Sequence, residues 1–145
     1  MKQEMKLEFD SIPSNEAFAR VVVAAFLTRL NPTMEEVADI KTAISEAVTN
    51  SIIHGYENEV HKIEIAASIQ EHTLTVSVQD HGRGIEDIKK AMEPLYTTRQ
   101  DLERSGMGFV FMEAFMDSVH VESLPGHGTT VTMTKNIGKR YEAQD

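Results

Sequence analysis

The sequence contains no cysteine. This absence excludes disulfide bonds, thiolate metal sites and a cysteine nucleophile, and it is typical of proteins from a reducing compartment. Long hydrophobic runs are also missing. Residues 1–6 lack the apolar core of a signal peptide, and no uninterrupted apolar run reaches the roughly 18 residues of a membrane-spanning helix. We therefore expect a cytoplasmic protein with no membrane partner.

Basic residues are few, since 14 lysines and arginines stand against 23 aspartates and glutamates, for a formal net charge of −9. A nucleic-acid backbone is bound by clustered lysine and arginine side chains, so we expect no direct nucleic-acid partner. A protein with a basic patch suits this charge better as a macromolecular partner. At 145 residues the chain is expected to form one domain that spans residues 1–145.

A long helical pattern covers residues 33–55. Thr33 and Glu36 have the spacing of a capping box, which predicts that the helix begins there. Gly55 is expected to end it in a left-handed conformation. Side chains at helical spacing predict one face turned to the core: Val37, Ile40, Ile44, Val48 and Ser51.

Glu46 and Asn50 fall on the opposite face of this predicted helix. Because they are four residues apart, both side chains can reach one ligand above that face. The carboxylate can accept a proton, and the amide oxygen can coordinate a hard cation such as Mg²⁺. A solvated helix face explains such a pair equally well when it is considered alone, and only the motifs downstream favour a site.

A D-x-G-x-G motif occupies residues 80–84, directly after a hairpin predicted from alternating apolar residues over 63–69 and 74–78. Gly82 and Gly84 permit close backbone approach. The Asp80 carboxylate at the strand end can accept a hydrogen bond from an amino group such as that of adenine. Considered alone, this motif is also a common turn.

A second glycine pair, Gly106 and Gly108, precedes a predicted helix that runs to Asp117. Exposed amides at a helix start favour phosphate, but the helix dipole contributes only about 0.3–2 kcal/mol. A divalent cation and basic side chains must therefore share in holding a triphosphate. Close packing of the helix is the alternative explanation for this pair. A last hairpin is predicted between residues 120–123 and 130–133, followed by a charged tail over residues 135–145.

The ordered set of motifs resembles the GHKL superfamily of ATP-binding domains, which includes gyrase, Hsp90, histidine kinase and MutL-type ATPases. Residues 46–55 are similar to its N box, residues 80–84 to its G1 box, and residues 105–108 to its G2 box. Thr130 is similar to its threonine on the adenine side. The resemblance implies an α+β two-layer sandwich, in which a mixed, largely antiparallel sheet carries helices on one face. It also implies an ATP lid over about residues 85–105.

The same resemblance implies the residues of a site for ATP and Mg²⁺. Glu46 is expected to act as the general base, Asn50 to hold the metal ion, and Asp80 to bind the adenine amino group. The implied cofactor-binding residues, which include Asn50 and Asp80, are completed by Gly82, Gly84, Thr97, Thr98, Arg104, Ser105, Gly106, Met107, Gly108 and Thr130.

Within the superfamily, the segments E-A-V-T-N-S-I-I-H-G-Y and R-S-G-M-G-F are similar to bacterial sporulation anti-sigma factors with serine kinase activity. This resemblance implies that the protein inhibits a sporulation sigma factor of the sigma-F type. It also implies phosphorylation of a serine on an anti-anti-sigma antagonist, and a homodimer. An ATP-binding interaction module and an ATP hydrolase remain the alternatives to a kinase. Arg20, on a helix predicted over residues 14 to about 30, is expected to contact a partner, with a solvated surface charge as the alternative.

Overall fold

The computed structural model describes residues 1–93 and 108–138 of the chain. Its strands are β1 Lys2–Asp10, β2 Lys62–Gln70, β3 Thr73–Asp80, β4 Ser118–Leu124 and β5 Gly128–Asn136. Its α-helices are α1 Ser14–Leu27, α2 Met34–Asn50, α3 Ile88–Ala91 and α4 Gly108–Phe115. A 3₁₀ turn, Thr28–Leu30, extends α1, and a π-helical turn, Ser51–Gly55, extends α2.

The strands form one sheet in the order β1-β2-β3-β5-β4, and each of these pairings is antiparallel. Side chains alternate between the two faces of a strand. On one face the strands are buried, as in β2, where Ile63 and Ile65 have no exposed surface. Pairing sets Ile65 opposite Val78, so the buried face continues into β3. The α+β sandwich and both predicted hairpins are confirmed.

Helix α2 packs against α1 and α4, and its apolar face joins the core. The predicted capping box is confirmed. The Glu36 amide donates to Thr33 Oγ1 at 3.1 Å, and the Thr33 amide donates to Glu36 Oε1 at 2.9 Å. Such a cap stabilises a helix by about 1 kcal/mol. The buried side chains of α2 are Ile40, Ala43, Ile44, Ala47 and Val48.

The charged tail predicted from residue 135 begins later than expected. Strand β5 continues through Asn136, and Ile137 is fully buried. The Gly138 amide then donates to Glu36 Oε2 at 3.2 Å, which attaches this segment to the start of α2. The buried side chain of Ile137 therefore keeps the chain packed on the core beyond residue 135, where the charged sequence predicted that the tail begins. Residues 139–145 lie outside the described residues.

Candidate functional site

The carboxylate of Asp80 lies at the carboxyl end of β3, and only 3% of the residue is exposed. Its Oδ2 accepts a hydrogen bond from the Ser51 hydroxyl at 2.7 Å, and its Oδ1 accepts one from the Gly82 amide at 2.9 Å. The Thr129 backbone supplies a further hydrogen bond. Burial raises the pKa of Asp80 above its ordinary value of 3.8, although these hydrogen bonds and the charge of His81 act in the opposite direction. The fold thus holds a buried acceptor in a fixed orientation.

The π-helical turn after α2 wraps around this carboxylate. A Cβ added to Gly55 would lie 2.9 Å from Asp80 Oδ2, which is closer than a side chain can approach without displacing it. The left-handed conformation predicted for Gly55 is wrong, because positive φ values occur instead at Glu57 and Asn58. Glycine is needed at position 55 because a side chain there would collide with the Asp80 carboxylate, and not because the backbone adopts a left-handed conformation. Single π-helical turns of this kind often occur at functional sites.

Ser51 is a site residue for which the helical pattern predicts only a place on the core face. It is buried as predicted, with 5% of the residue exposed, but its hydroxyl is directed to Asp80. A polar residue at the end of an otherwise apolar helical stripe was the signal for this role. A buried hydroxyl requires a partner, and that partner comes from a strand 29 positions further along the chain.

The D-x-G-x-G turn is clamped between two other segments. A Cβ on Gly82 would lie 2.1 Å from the Gly55 carbonyl oxygen, and one on Gly84 would lie 2.1 Å from the Leu124 carbonyl oxygen. Gly84 also has a φ of +77°, which side chains disfavour. The Arg83 amide donates to the Gly55 carbonyl at 2.9 Å. The close backbone approach predicted for this turn is therefore present on both sides of it.

Glu46 and Asn50 meet the beginning of α4. A Cβ added to Gly108 would lie 3.1 Å from Asn50 Nδ2 and 3.3 Å from Glu46 Oε2. Gly108, the first residue of α4, is buried. The absence of a side chain at this position leaves room for both polar groups beside the helix start. The residues that the sequence placed on one face of α2 are thus brought together with Gly108 of the second glycine pair.

A cavity of about 460 Å³ adjoins Asp80, Asn50 and Gly108, whereas Glu46 lies beside Gly108 and does not line it. This volume lies within the range of about 300–1,000 Å³ that is usual for small-molecule sites. Residues from α2, the π-helical turn, the D-x-G-x-G turn, α4 and β5 surround it, among them Asn50, Ser51, Asp80, Gly84, Gly108 and Thr129. Gly82 instead faces a second, more open cavity on the other side of the turn.

Thr129, rather than Thr130, is the β5 threonine at the cavity. Strand pairing sets Thr129 opposite Asp80, whereas Thr130 lies opposite Gln79 and so points to the other face of the sheet. Thr129 lines the cavity, and Thr130 does not. The assignment of Thr130 to the adenine side is therefore wrong by one residue. A shift of one position in a strand exchanges the two faces, and two adjacent threonines conceal that shift in the sequence.

Comparison with known proteins identifies the family. The family model described as histidine kinase-like ATPase domain matches residues 9–135. The anti-sigma F factor of Thermoanaerobacter sp. (strain X514) is 61% identical over 134 residues, which cover 92% of this chain and 94% of the relative. The anti-sigma F factor of Bacillus subtilis (strain 168) is 51% identical over 140 residues, which cover 96% of each chain. The chain belongs to the anti-sigma F factor family of histidine kinase-like ATPase domains.

A solved structure supports the fold of this family member independently. The chain is similar to the crystal structure of the RsbU and RsbW domains of Rv1364c from Mycobacterium tuberculosis, with a TM-score of 0.66 and 24% sequence identity. The match covers 93% of this chain and 32% of that one. At this identity the likeness concerns the fold alone, and it supports the α+β sandwich.

The donor set of this family member suits a nucleotide better than a metal ion alone. Within residues 1–93 and 108–138, no group of three or more histidine, aspartate and glutamate side chains is arranged to hold a metal. Asn50 offers one amide oxygen at the cavity. Mg²⁺ commonly takes only one or two protein ligands and completes its shell with phosphates and water. The site therefore suits Mg²⁺ that arrives with a phosphate ligand.

Part of the predicted site lies outside the described residues. This holds for Thr97, Thr98, Arg104, Ser105, Gly106 and Met107, and for the predicted lid beyond residue 93. These assignments remain predictions.

Arg20 lies on α1, where its guanidinium is 3.4 Å from Glu16 Oε1 and its side chain is 43% exposed. It does not line the cavity. Among the described parts of the helices, none is long and apolar enough to cross a bilayer.

Proposed function

We propose that the protein is an ATP-dependent protein-serine kinase that also binds and inhibits a sigma factor of the sigma-F type. The observation that carries the kinase part is that Asp80 and Asn50 line one cavity, while Glu46 lies next to Asn50 at the start of α4. The anti-sigma F factor relatives support the sigma-factor part. The seryl substrate is proposed to be the anti-anti-sigma antagonist of that sigma factor.

At one end of the cavity, Asp80 would accept a hydrogen bond from the 6-amino group of adenine. Ser51 and Gly82 hold both carboxylate oxygens in place before any ligand arrives, so little conformational entropy is lost on binding. A hydrogen bond to a charged group contributes about 1.5–3 kcal/mol. That energy corresponds to about tenfold to hundredfold preference over a base without the amino group.

At the other end, Asn50 and Glu46 face the start of α4, whose first amides favour an anion. Asn50 would hold Mg²⁺, which when bound supplies positive charge beside the phosphates. Glu46 would accept the proton of the seryl hydroxyl as the seryl oxygen bonds to the γ-phosphorus. The bond from that phosphorus to the bridging oxygen breaks, and ADP leaves with the electron pair. Most of the rate enhancement would come from positioning and electrostatics.

Radiolabelled ATP distinguishes this function from its alternatives. Label that moves from the γ-phosphate to a serine of the antagonist supports the kinase. Label that appears only as free phosphate would support a hydrolase, in which Glu46 activates water. ATP binding without turnover would support an interaction module that uses the nucleotide to fix its shape. Each of the last two results would contradict the proposed kinase.

Arg20 is proposed to contact a protein partner. Two residues of the same helix, Phe18 and Val21, are 50% and 55% exposed, and their three-residue spacing puts them on one face, to one side of Arg20. A helix surface that exposes both arginine and apolar side chains has the composition of interface hot spots. We expect Arg20→Glu to weaken sigma-factor binding by at least about tenfold and to leave ATP affinity unchanged. Surface plasmon resonance with the sigma factor, and calorimetry with ATP, measure the two effects.

A matched control for Arg20 is Arg29→Glu. Arg29 lies on the 3₁₀ turn after α1, and its guanidinium is 4.8 Å from the centroid of the Phe26 ring. Arg29→Glu changes the charge by the same amount as Arg20→Glu, but at the far end of the segment formed by α1 and its 3₁₀ turn. If Arg29→Glu weakens sigma-factor binding as much as Arg20→Glu does, net charge rather than a contact of Arg20 explains the loss. Unchanged binding in Arg20→Glu would remove Arg20 from the interface.

A homodimer is proposed to form through the edge strand β1. Its exposed face alternates in charge through Lys2, Glu4, Lys6 and Glu8. Two copies that pair antiparallel about a two-fold axis at Met5 set Lys2 opposite Glu8 and Glu4 opposite Lys6. An axis at Lys6 would instead set Lys6 opposite its own copy and Glu4 opposite Glu8. Opposite charges across strands stabilise a pair, and like charges destabilise it.

Charge reversal tests this dimer. We expect Lys2→Glu combined with Lys6→Glu to give a monomer, because positions 2, 4, 6 and 8 on the charged face of both strands are then all acidic. Mixing it with a Glu4→Lys, Glu8→Lys variant should restore a dimer, since the two edges become complementary. Light scattering measures the masses. A double variant that keeps the wild-type mass, or a wild-type protein that is monomeric, would contradict pairing through β1.

A further inference from the structure

Tyr56 joins three segments next to Asp80 without lining the cavity. It follows the π-helical turn and is buried, with 6% of the residue exposed. Its hydroxyl accepts a hydrogen bond from the His81 amide at 2.7 Å and donates one to the Lys62 carbonyl. Its own amide donates to the Ser51 carbonyl at 2.9 Å. The side chain therefore joins the start of β2 to the residue after β3, and the backbone amide of the same residue joins them to the π-helical turn after α2.

Three groups hold the Asp80 carboxylate, and two of them, Ser51 and Gly82, are attached to backbone that Tyr56 contacts, while the third is the Thr129 backbone. Ser51, which donates to Oδ2, is bonded through its carbonyl to the Tyr56 amide. Gly82, which donates to Oδ1, directly follows His81, whose amide is bonded to the Tyr56 hydroxyl. The ring hydroxyl contacts only the His81 side of this pair, so a small movement of the Tyr56 ring would change the position of the Gly82 donor and with it the direction of the carboxylate.

The hydroxyl of Tyr56 stays protonated in this arrangement. Burial raises the pKa of Tyr56, the hydrogen bond from the His81 amide opposes that rise, and the charge of Asp80 adds to it. A protonated phenol can donate to the Lys62 carbonyl and accept from the His81 amide at the same time. Phenylalanine would fill the same space but could form neither hydrogen bond, so the His81 amide would lose this acceptor.

We propose that Tyr56 is a positioning residue for adenine recognition, because its hydroxyl fixes the turn that aims the Asp80 carboxylate. This inference rests on the proposed role of Asp80 in binding the adenine amino group. The competing explanation is that Tyr56 only stabilises the fold. If Tyr56 were purely structural, replacing it would lower the free energy of unfolding without changing how the folded protein discriminates between two bases.

The test compares ATP with purine riboside triphosphate, which lacks the 6-amino group, on the full chain. Wild type is expected to prefer ATP by about tenfold or more. Tyr56→Phe is expected to bind the analogue as wild type does and to lose about three- to tenfold of the preference for ATP. Fluorescence competition measures both affinities, at a temperature and denaturant concentration where urea unfolding shows the variant to be folded.

Ser11→Ala is the matched control. The Ser11 hydroxyl is also buried, accepts from the His61 amide at 2.9 Å and donates to the Glu59 carbonyl at 3.0 Å. It therefore makes the same two kinds of hydrogen bond to the connection between the π-helical turn and β2, with no bond to the segment after Asp80. We expect this variant to be less stable and to keep the full preference for ATP.

A measurement on the wild-type protein needs no substitution. ATP is expected to slow hydrogen exchange at the His81 amide more than saturating purine riboside triphosphate does, because the amino group tightens the turn that Tyr56 holds. Equal protection by the two ligands would count against the proposal. Tyr56→Phe with the full wild-type preference would overturn it, as would an equal loss in Ser11→Ala. Wild type without any preference would overturn the role of Asp80 as well, so the two failures are distinguishable.

Discussion

Replacing Glu46 by glutamine is expected to slow phosphoryl transfer to the seryl substrate by about 10²- to 10⁴-fold, while ATP affinity stays within about threefold. Glutamine has nearly the shape of glutamate, so it can keep its place beside Gly108, where Glu46 Oε2 lies 3.3 Å from the position of a Cβ. The amide has no carboxylate to accept the seryl proton. Single-turnover transfer of label from ATP to the antagonist measures the rate.

Glu35→Gln is the control for this result. Glu35 lies in the first turn of the same helix and is exposed. The substitution Glu35→Gln therefore removes the same charge as Glu46→Gln, but far from the start of α4. We expect it to leave the transfer rate within about twofold, since isolated surface charges contribute little. A full transfer rate in Glu46→Gln would remove Glu46 as the base. An equal loss in both variants would assign the effect to net charge.

Asp80→Asn is expected to lower ATP affinity by about tenfold to hundredfold, which corresponds to about 1.5–3 kcal/mol for a hydrogen bond to a charged group. The asparagine oxygen can still accept from Gly82, but its amino group presents donors where the adenine amino group needs an acceptor. Titration calorimetry measures the affinity. Asp117→Asn is the control, because the Asp117 carboxylate also accepts a backbone bond, from the Asn136 amide at 2.7 Å, but outside the cavity. Wild-type affinity in Asp80→Asn would contradict the adenine site.

The same substitution should change how stability depends on pH. The pKa of Asp80 is raised in the folded state, chiefly by burial, so the folded protein binds this proton more tightly than the unfolded chain. The stability that Asp80 contributes is therefore fully present below the ordinary pKa of 3.8 and is lost as pH rises through the raised value. Asparagine does not titrate. Urea unfolding should show the stability of Asp80→Asn relative to wild type rising with pH across this window, and a difference that falls with pH would contradict the burial argument.

Local patterns were enough to predict most of the fold. The spacing of Thr33 and Glu36 predicted the start of α2, and strict alternation predicted the buried face of β2. Both signals come from residues close together in the sequence, whose periods follow from helix and strand geometry. Close approach of neighbouring groups at the glycines of the D-x-G-x-G turn and at Gly108 could also be predicted from the sequence. A missing side chain there indicates close approach, even where the neighbour is unknown.

The parts of the site that sequence could not supply depend on distant pairing. The role of Ser51 is visible only when β3 brings Asp80 beside the π-helical turn. Which of two adjacent threonines faces the cavity depends on the register between β3 and β5. Tyr56 gave no signal, because its bonds to the His81 amide and the Lys62 carbonyl involve backbone groups that every residue carries. The residue types of the partners therefore do not indicate such contacts.

Titration calorimetry with ATP in excess Mg²⁺ tests most directly whether Asp80 and Asn50 belong to one nucleotide site. We predict saturable binding of one ATP per chain. With Mg²⁺ present, Asn50→Ala should bind ATP more weakly than wild type. Without Mg²⁺, the two proteins should bind ATP with the same affinity. No binding heat at two temperatures, or wild-type affinity in both Asn50→Ala and Asp80→Asn, would contradict the account.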